Sequence, residues 1–366
     1  MRIKNARLFP TAITYGKNSP VEPFVSVLVK ATFRLESRRE PARVADEQFP
    51  VFTADAPYDP ENPAGPLEFE SDLVPFKPRA DIVLVGKAHA PYSRPVRSLD
   101  VTIQVGATRR VLRVFGDRAW SFTDPRAVAP LIAGPAEFVE MPLTYDRAFG
   151  GVDERAGLDP EVPSFRPWCE WNYLGRGFCG ARTVESIDRK PLPNVEDPEN
   201  LVRSWDSRPL PVGCGFFPRN SKPRSLFAGT YDDKWKATRA PEPPEDFRFD
   251  LYNGADRSLQ VPNYLAGNEF VSLENVTPGG GPVEFWLPCL VPGVTIERAD
   301  GKEPLAVRAN LDTLVLVPDA RRFYLVWRAV VGVERPDATD LLEARIDYTE
   351  SSPGPELAAR RGGYRA

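Results

Sequence analysis

Hydrophobic and polar positions alternate with period two over much of this chain. Between residues 24 and 36, Val25, Val27, Val29, Ala31, Phe33 and Leu35 share one side. Ser26, Lys30, Thr32, Arg34 and Glu36 share the other, and Leu28 is out of phase. Successive side chains of a strand point to opposite faces, so this predicts a long strand with one face on a core and one in water. Extended runs follow at 82–87, 99–105 and 111–115. Gly106-Ala107 between the last two predicts a tight reversal, making 99–115 a hairpin. Strands return at 270–275, 283–287, 294–298, 311–317, 323–331 and 342–349, punctuated by turn signals such as Pro278-Gly279, Pro292-Gly293 and Pro318-Asp319.

The middle of the chain breaks this rhythm. Residues 40–80 predict loops with short extended pieces, although Leu67, Phe69 and Leu73 alternate with Glu68, Glu70 and Asp72 as a strand with a wet acidic face would. Residues 121–265 are crowded with Pro, Gly, Trp and Arg, and carry aromatic side chains from Phe165 to Tyr252. Disordered linkers are poor in aromatics, so this stretch reads as ordered, irregular chain pinned onto the flanking sheets. A short helix is predicted over 232–239, capped by Asp232 and stopped before Pro241. The fold class is therefore mainly β: antiparallel β-sandwich-like modules with an irregular aromatic- and proline-rich middle. The boundaries are an N-terminal antiparallel β module at 1–120, a bridging region at 121–265, a C-terminal antiparallel β module at 266–350, and a loose tail at 351–366.

Composition narrows the picture. Forty prolines in 366 residues is roughly twice the usual share, and proline ends helices, so a long-helix bundle is excluded. Lys+Arg 47 against Asp+Glu 51 gives a net charge of −4, so no global positive field holds nucleic acid. No run approaches the roughly 18 apolar residues of a spanning helix, and Arg2, Lys4 and Arg7 sit where a signal peptide needs apolar residues. The expected compartment is the cytoplasm, with no membrane partner.

Candidate chemistry is sparse. Cys169, Cys179, Cys214 and Cys289 show no paired spacing of the kind structural zinc requires, so no metal and no cofactor is expected. The single histidine, His89, has no nucleophile motif beside it and reads as a capped or surface residue. Acidic neighbours occur at Glu68/Glu70/Asp72, Asp153/Glu154, Glu196/Asp197 and Asp232/Asp233. Glycosidases use two carboxylates at a set separation, which sequence does not provide, and solvated faces and caps account for such neighbours equally well. The glycines of YLGRGFCG lack the lysine and the following helix of a phosphate loop. Trp, Tyr and Arg dominate contact surfaces, which leaves an interaction protein as the favoured class.

Several collinear stretches resemble one bacterial family: MRIKNARLFP and TYGK at the start, VLVKATFRL, LEFESDLVPFKPRADIVLVGKAHAP, LRVFGDRAW and MPLTYDRAFGG. LGRGF, LPNVEDPENLVRS, FAGTYDDKW and LDTLVLVPDARRFYLVWRA continue the series. Together they resemble the domain of unknown function 2169 family, associated with type VI secretion, from Met1 to about residue 331. The resemblance implies a non-catalytic adaptor or chaperone that binds a type VI effector, or its PAAR-like spike-tip domain, and assists its loading. It supplies no catalytic residues. The loops at 145–151 and 194–204 combine reversals with charged groups, as partner-facing segments or as inter-sheet locks. Tyr145, Arg147, Phe149, Arg176, Asn194 and Arg203 are the resulting partner-binding candidates. The alternatives are a carboxylate-dependent glycan hydrolase and a carbohydrate-binding β module, the latter requiring a platform of Trp168, Trp171 or Trp205.

Overall fold

The alternating runs pair into two sheets. The computed structural model describes residues 1–17, 23–122, 129–155, 166–180, 183–299, 301–333 and 341–356, without the side chain of Glu185. Its principal strands are β1 (Arg2–Asn5), β2 (Thr11–Lys17), β3 (Pro23–Arg34), β4 (Ala80–Leu84), β5 (Ser98–Val105), β6 (Thr108–Phe115) and β7 (Val195–Glu196). Then come β8 (Gln260–Val261), β9 (Phe270–Glu274), β10 (Pro282–Trp286), β11 (Leu290–Arg298), β12 (Leu305–Val317), β13 (Arg322–Gly332) and β14 (Leu341–Glu350).

The larger sheet runs β1-β14-β11-β12-β13-β3-β2. Strand β12 changes neighbour along its length, pairing with β11 at 305–308 and with β4 at 313–316, and β8 extends that side beyond β4. The smaller sheet runs β7-β6-β5-β9-β10. The hairpin of β5 and β6 turns at Gly106, whose φ of 53° suits glycine, and Ala107. Within these two sheets the pairs β1 with β14 and β4 with β12 are parallel; their connections are long enough to return the chain in the same direction.

Both sheets draw strands from both ends of the chain. In the larger one β3 lies against β13, and in the smaller one β5 lies against β9. The N-terminal and C-terminal β segments therefore interleave rather than forming separate modules, because the longest runs on either side of the middle pair with each other. One hydrophobic cluster extends from Phe9 to Ile346. The sheets meet through stacked rings, with Phe323 at 5.4 Å from Phe33 and 5.2 Å from Phe285. The predicted β-sandwich character is present.

Strand β3 departs from its predicted wet face, since Ser26, Lys30 and Thr32 are as buried as the apolar side. Residues 45–76 form a strap over that face. Phe49 and Phe52 lie on it with Phe69, and Tyr324 of β13 joins the same group of rings. Leu28, out of phase in the sequence, lies on this covered face opposite Arg328 and needs no water. The strap answers each polar group beneath it. Lys30 Nζ donates to Asp72 Oδ2 at 2.7 Å and lies 3.8 and 3.9 Å from the ring centres of Phe52 and Tyr324. Thr32 Oγ1 accepts from the Phe49 N–H, and the Thr32 N–H donates to Gln48 Oε1. Arg328 donates to the carbonyls of Val74 and Asp72 and to both oxygens of Asp312. Asp312 sits where the β12–β13 register slips by one residue, a bulge that turns its carboxylate inward. The acidic run at 68–72 is corrected accordingly: Glu70 and Asp72 are buried.

Outside the sheets, the predicted helix forms at Asp233–Thr238, with the Asp232 carboxylate accepting from the Trp235 N–H. The aromatic middle packs partly on the sheets, Phe249 meeting Phe24 and Phe76, and partly into its own cluster with Trp120, Phe149, Cys169 and Leu192. Phe165 lies outside the described residues. The segment expected to be loose from Ser351 is held as far as Glu356: the Ser351 N–H donates to the Cys289 carbonyl, Asn268 Nδ2 donates to the Ser352 carbonyl, the Gly354 N–H donates to the Asn268 carbonyl, Trp286 Nε1 donates to the Gly354 carbonyl, and Glu356 pairs with Arg39 at 3.2 Å. Residues 357–366 lie outside the described ones.

Burial pushes the Lys30 ammonium down from 10.5 to about 8 despite the opposing pull of Asp72, and the Arg328 charge adds to the fall. Between pH 8 and 10.5 an unfolded chain holds this proton and the folded one does not, so stability rises with pH across that window. NMR of lysine-labelled protein is expected to reveal an Nζ resonance, shifted by the two neighbouring rings, with a midpoint near pH 8. A midpoint above 10 for that resonance contradicts the assignment.

Candidate partner-binding cleft

The six sequence candidates divide by burial. Tyr145, Phe149 and Asn194 are interior, at 1%, 3% and 0% exposure, so as partner-facing residues they are corrected: their side chains lock the loops of the middle together. Tyr145 stacks edge-on against Phe217 at 4.9 Å and its hydroxyl points at Asp256 Oδ2, 3.5 Å away. Gly213 lies so close to the Tyr145 ring that a Cβ there would come within 2.7 Å of it. Burial, with the Asp256 charge, raises the Tyr145 phenol well above its ordinary value, so it stays a donor. Phe149 belongs to the small cluster around Trp120.

Asn194 gathers the others. Its Oδ1 accepts from Arg147 at 3.3 Å and from Arg176 at 3.2 Å, while its Nδ2 donates to the Phe115 carbonyl and to Asp117. Arg147 also pairs with Asp117, and Arg176 Nε donates to the Asp146 carbonyl. Three residues far apart in sequence thus converge on one amide at the end of β6. Burial and the adjacent Arg147 charge lower the Arg176 guanidinium from its usual value. Arg203 stands apart, exposed on the 197–204 loop.

A second locking residue, Asn172, carries no sequence signal beyond its neighbours in WNYLG. Its Nδ2 donates to the carbonyls of Tyr145 and Phe149, which ties the 145–151 loop to the 169–177 loop.

A cleft of about 780 Å³ lies where the irregular middle meets both sheets. Arg110 of β6 and Gln260 of β8 reach it from the two sheets, and loops around 197–212, 222–227 and 248–258 form its walls. Its lining includes exposed apolar side chains, Trp171 at 41% and Leu210 at 60% exposure, and the half-buried Phe227 ring beneath the Arg248 guanidinium. The wall at 222–227 is anchored from below by the strap. Arg224, 3% exposed, grips Glu70 with two hydrogen bonds of 2.5 and 2.9 Å and donates to the Phe217 and Leu251 carbonyls. Burial alone would raise the Glu70 carboxyl, but Arg224, with Arg219 and Lys77 behind it, brings it below its ordinary value. The opposite wall is fixed by Asp81, which takes Lys77 at 2.7 Å, the Asn253 amide and the Gly254 N–H.

The remaining acidic neighbours are similarly engaged. Asp153 holds Lys190 at 2.6 Å together with Ser186, and Glu196 is buried against Arg118 while accepting from the Val202 N–H. Burial raises the Glu196 carboxyl in spite of Arg118. Asp197 pairs with Arg110 across 3.4 Å. His89 is interior rather than on the surface, its Nε2 at 2.7 Å from Asp319. All four thiols are buried and unpaired, and burial pushes Cys214 up to about 12. Trp168 is 37% exposed, while Trp205 packs half-buried against the small cluster. No helix among the described residues is long and apolar enough to cross a membrane.

A family model matches residues 21–328; it describes an uncharacterized protein conserved in bacteria, domain of unknown function 2169. No curated protein and no solved structure matches the chain.

Removing one partner of a buried pair strands the other charge, so Arg224→Met is expected to cost about 3–5 kcal/mol in urea unfolding. Restoring neutrality with Glu70→Gln in the same chain should recover part of that loss. Because its carboxyl is lowered, Glu70 contributes stability that is present above pH 4.5 and lost as pH falls through the folded-state value. Glu70→Gln should flatten that acid limb, and an unchanged limb contradicts the assignment.

Proposed function

This chain belongs to the domain of unknown function 2169 family, and from that premise we propose that it is a non-catalytic adaptor. It binds a type VI secretion effector, or the effector's PAAR-like spike-tip domain, in the cytoplasm and assists its loading. The observation that carries the reading is the cleft, a concavity of about 780 Å³ whose lining keeps Trp171 and Leu210 in water. Single exposed apolar residues are ordinary, but several around one concavity mark a contact site. Trp and Arg are the residues that supply most of the energy at such sites.

Two further features support contact over hydrolysis. Glu70, Asp153 and Glu196 are each closed by a cation of this chain and by further hydrogen bonds. A carboxylate held in this way is not a free nucleophile. The cleft walls are also fixed from below by buried ion pairs, and a preformed surface loses little entropy on binding.

Deleting the gene is expected to abolish secretion, or the cellular stability, of the cognate effector while the secretion apparatus still assembles. The tagged protein should co-purify with that effector or its spike-tip domain from the native cell. Undiminished effector secretion in the deletion strain would overturn the proposal.

A further inference from the structure

We propose that the cleft takes an extended acidic segment of the partner protein, with carboxylates alternating with apolar side chains. The source of that segment rests on the adaptor reading; its chemistry rests on the cleft.

The lining holds six basic residues, Arg79, Arg110, Lys222, Arg224, Arg248 and Arg257, against three acids, Asp197, Asp250 and Asp256. Three of the cations are taken: Arg224 by Glu70, Lys222 by Glu170 and Arg110 by Asp197. What remains is Arg79, Arg248 and Arg257 against Asp250 and Asp256, an excess of one positive charge in a chain whose net charge is −4. Placement amplifies that small excess. Arg79 and Arg248, with side chains 38% and 59% exposed, share the single carboxylate of Asp250, which is 14% exposed. Arg257 is exposed and has no acid within 4 Å among the described residues. The carboxylate of Asp256 is turned back onto the Ser258 N–H and hydroxyl. The guanidinium groups of Arg79, Arg248 and Arg257 therefore stand farther out than the Asp250 carboxylate, and the mouth of the cleft presents donors to an incoming anion. Arginine suits this task, because its planar fork matches a carboxylate.

The rest of the cleft selects a polypeptide over a small anion. Its volume accommodates several residues, and Trp171, Leu210 and Phe227 offer apolar surface that a lone phosphate or carboxylate leaves unused. Two lining side chains also keep a shielded polar atom without a partner, Arg110 Nε as a donor and Asn253 Oδ1 as an acceptor. Unsatisfied buried groups of this kind are uncommon and call for a ligand or a water.

The test uses the full-length protein and two fluorescein-labelled octapeptides. One alternates Glu or Asp with Leu or Phe, and the other carries Lys in place of every acid. By fluorescence anisotropy in low salt, the acidic peptide should bind at least tenfold tighter, and added salt should weaken it. Arg248→Glu with Arg257→Glu, both on exposed side chains, should weaken the acidic peptide at least tenfold and improve the basic one. Trp171→Ala with Leu210→Ser should weaken the acidic peptide severalfold while leaving its salt dependence in place. Equal affinity for the two peptides, no change in the arginine variant, or full displacement by millimolar inorganic phosphate would each overturn the proposal. Co-purification from the native cell separates the two readings. A partner retained by the arginine variant as well as by the unaltered protein refutes the cleft assignment and leaves the adaptor standing. No partner with the unaltered protein refutes the adaptor, whatever the peptides do.

Discussion

The rest of the structure depends on burying Lys30 and Arg328. They lie on the same face of adjacent central strands, β3 and β13, and that face is covered. Two cations taken from water cost several kcal/mol each unless counter-charges and hydrogen bonds meet them. The strap delivers Asp72 to Lys30, and the bulge in β12 delivers Asp312 to Arg328. The Asp72 and Val74 carbonyls then accept two more of the guanidinium protons. Replacing such pairs with apolar side chains is often neutral for stability, so their value lies in specification. A strap shifted by one residue would bring Ser71 or Leu73 toward Lys30 in place of Asp72. Only one register satisfies both cations.

That register propagates to the surface. Fixing Asp72 also fixes Glu70, two residues away, and Glu70 is what holds Arg224. Arg224 in turn donates to the Phe217 and Leu251 carbonyls and so sets the spacing between two segments that line the cleft. Farther along the same chain segment Lys77 pairs with Asp81, which accepts from the Asn253 amide and the Gly254 N–H. Gly254 is required there, since a Cβ would lie 2.8 Å from the Glu70 carboxylate. The cleft is therefore a consequence of how the polar face of a central strand is satisfied, and its shape is inherited from the core.

Period-two alternation made the sheets legible because each strand's own side chains report which face is covered. The hairpin at Gly106, the Asp232 cap and the run at 323–331 needed no outside information. What alternation does not report is a second cover. The β3 pattern is the same whether Lys30 faces water or Asp72, and only Leu28, an apolar residue out of phase, marked the polar face as dry. The acidic run at 68–72 misled for the matching reason, since buried and solvated carboxylates are the same letters until their cations are placed. Likewise the pairing of β3 with β13 joins residues about three hundred apart, and no local signal carries it. Among the partner candidates, loop character singled out 145–151 and 194–204 as partner-facing segments or inter-sheet locks. It did not separate Tyr145, Phe149 and Asn194, which hold the loops, from Arg203, which is exposed. The cleft residues were missed because Arg79, Arg110, Arg248 and Arg257 come from four separate segments.

The division between inner and outer charges gives the surface its character. Inner pairs such as Glu70–Arg224 and Asp81–Lys77 are shielded from salt and position the walls; they contribute nothing to an incoming partner directly. Outer guanidinium groups such as Arg248 and Arg257 sit in high dielectric, where each attraction is worth little in affinity. On the proposed reading their contribution is to choose between partners and to speed encounter, while the exposed apolar side chains of the cleft supply most of the binding energy. An adaptor has to hold its cargo and then release it. A rigid floor with a weakly attractive, charge-selective mouth suits that requirement, because selectivity is obtained without an affinity so high that release becomes slow.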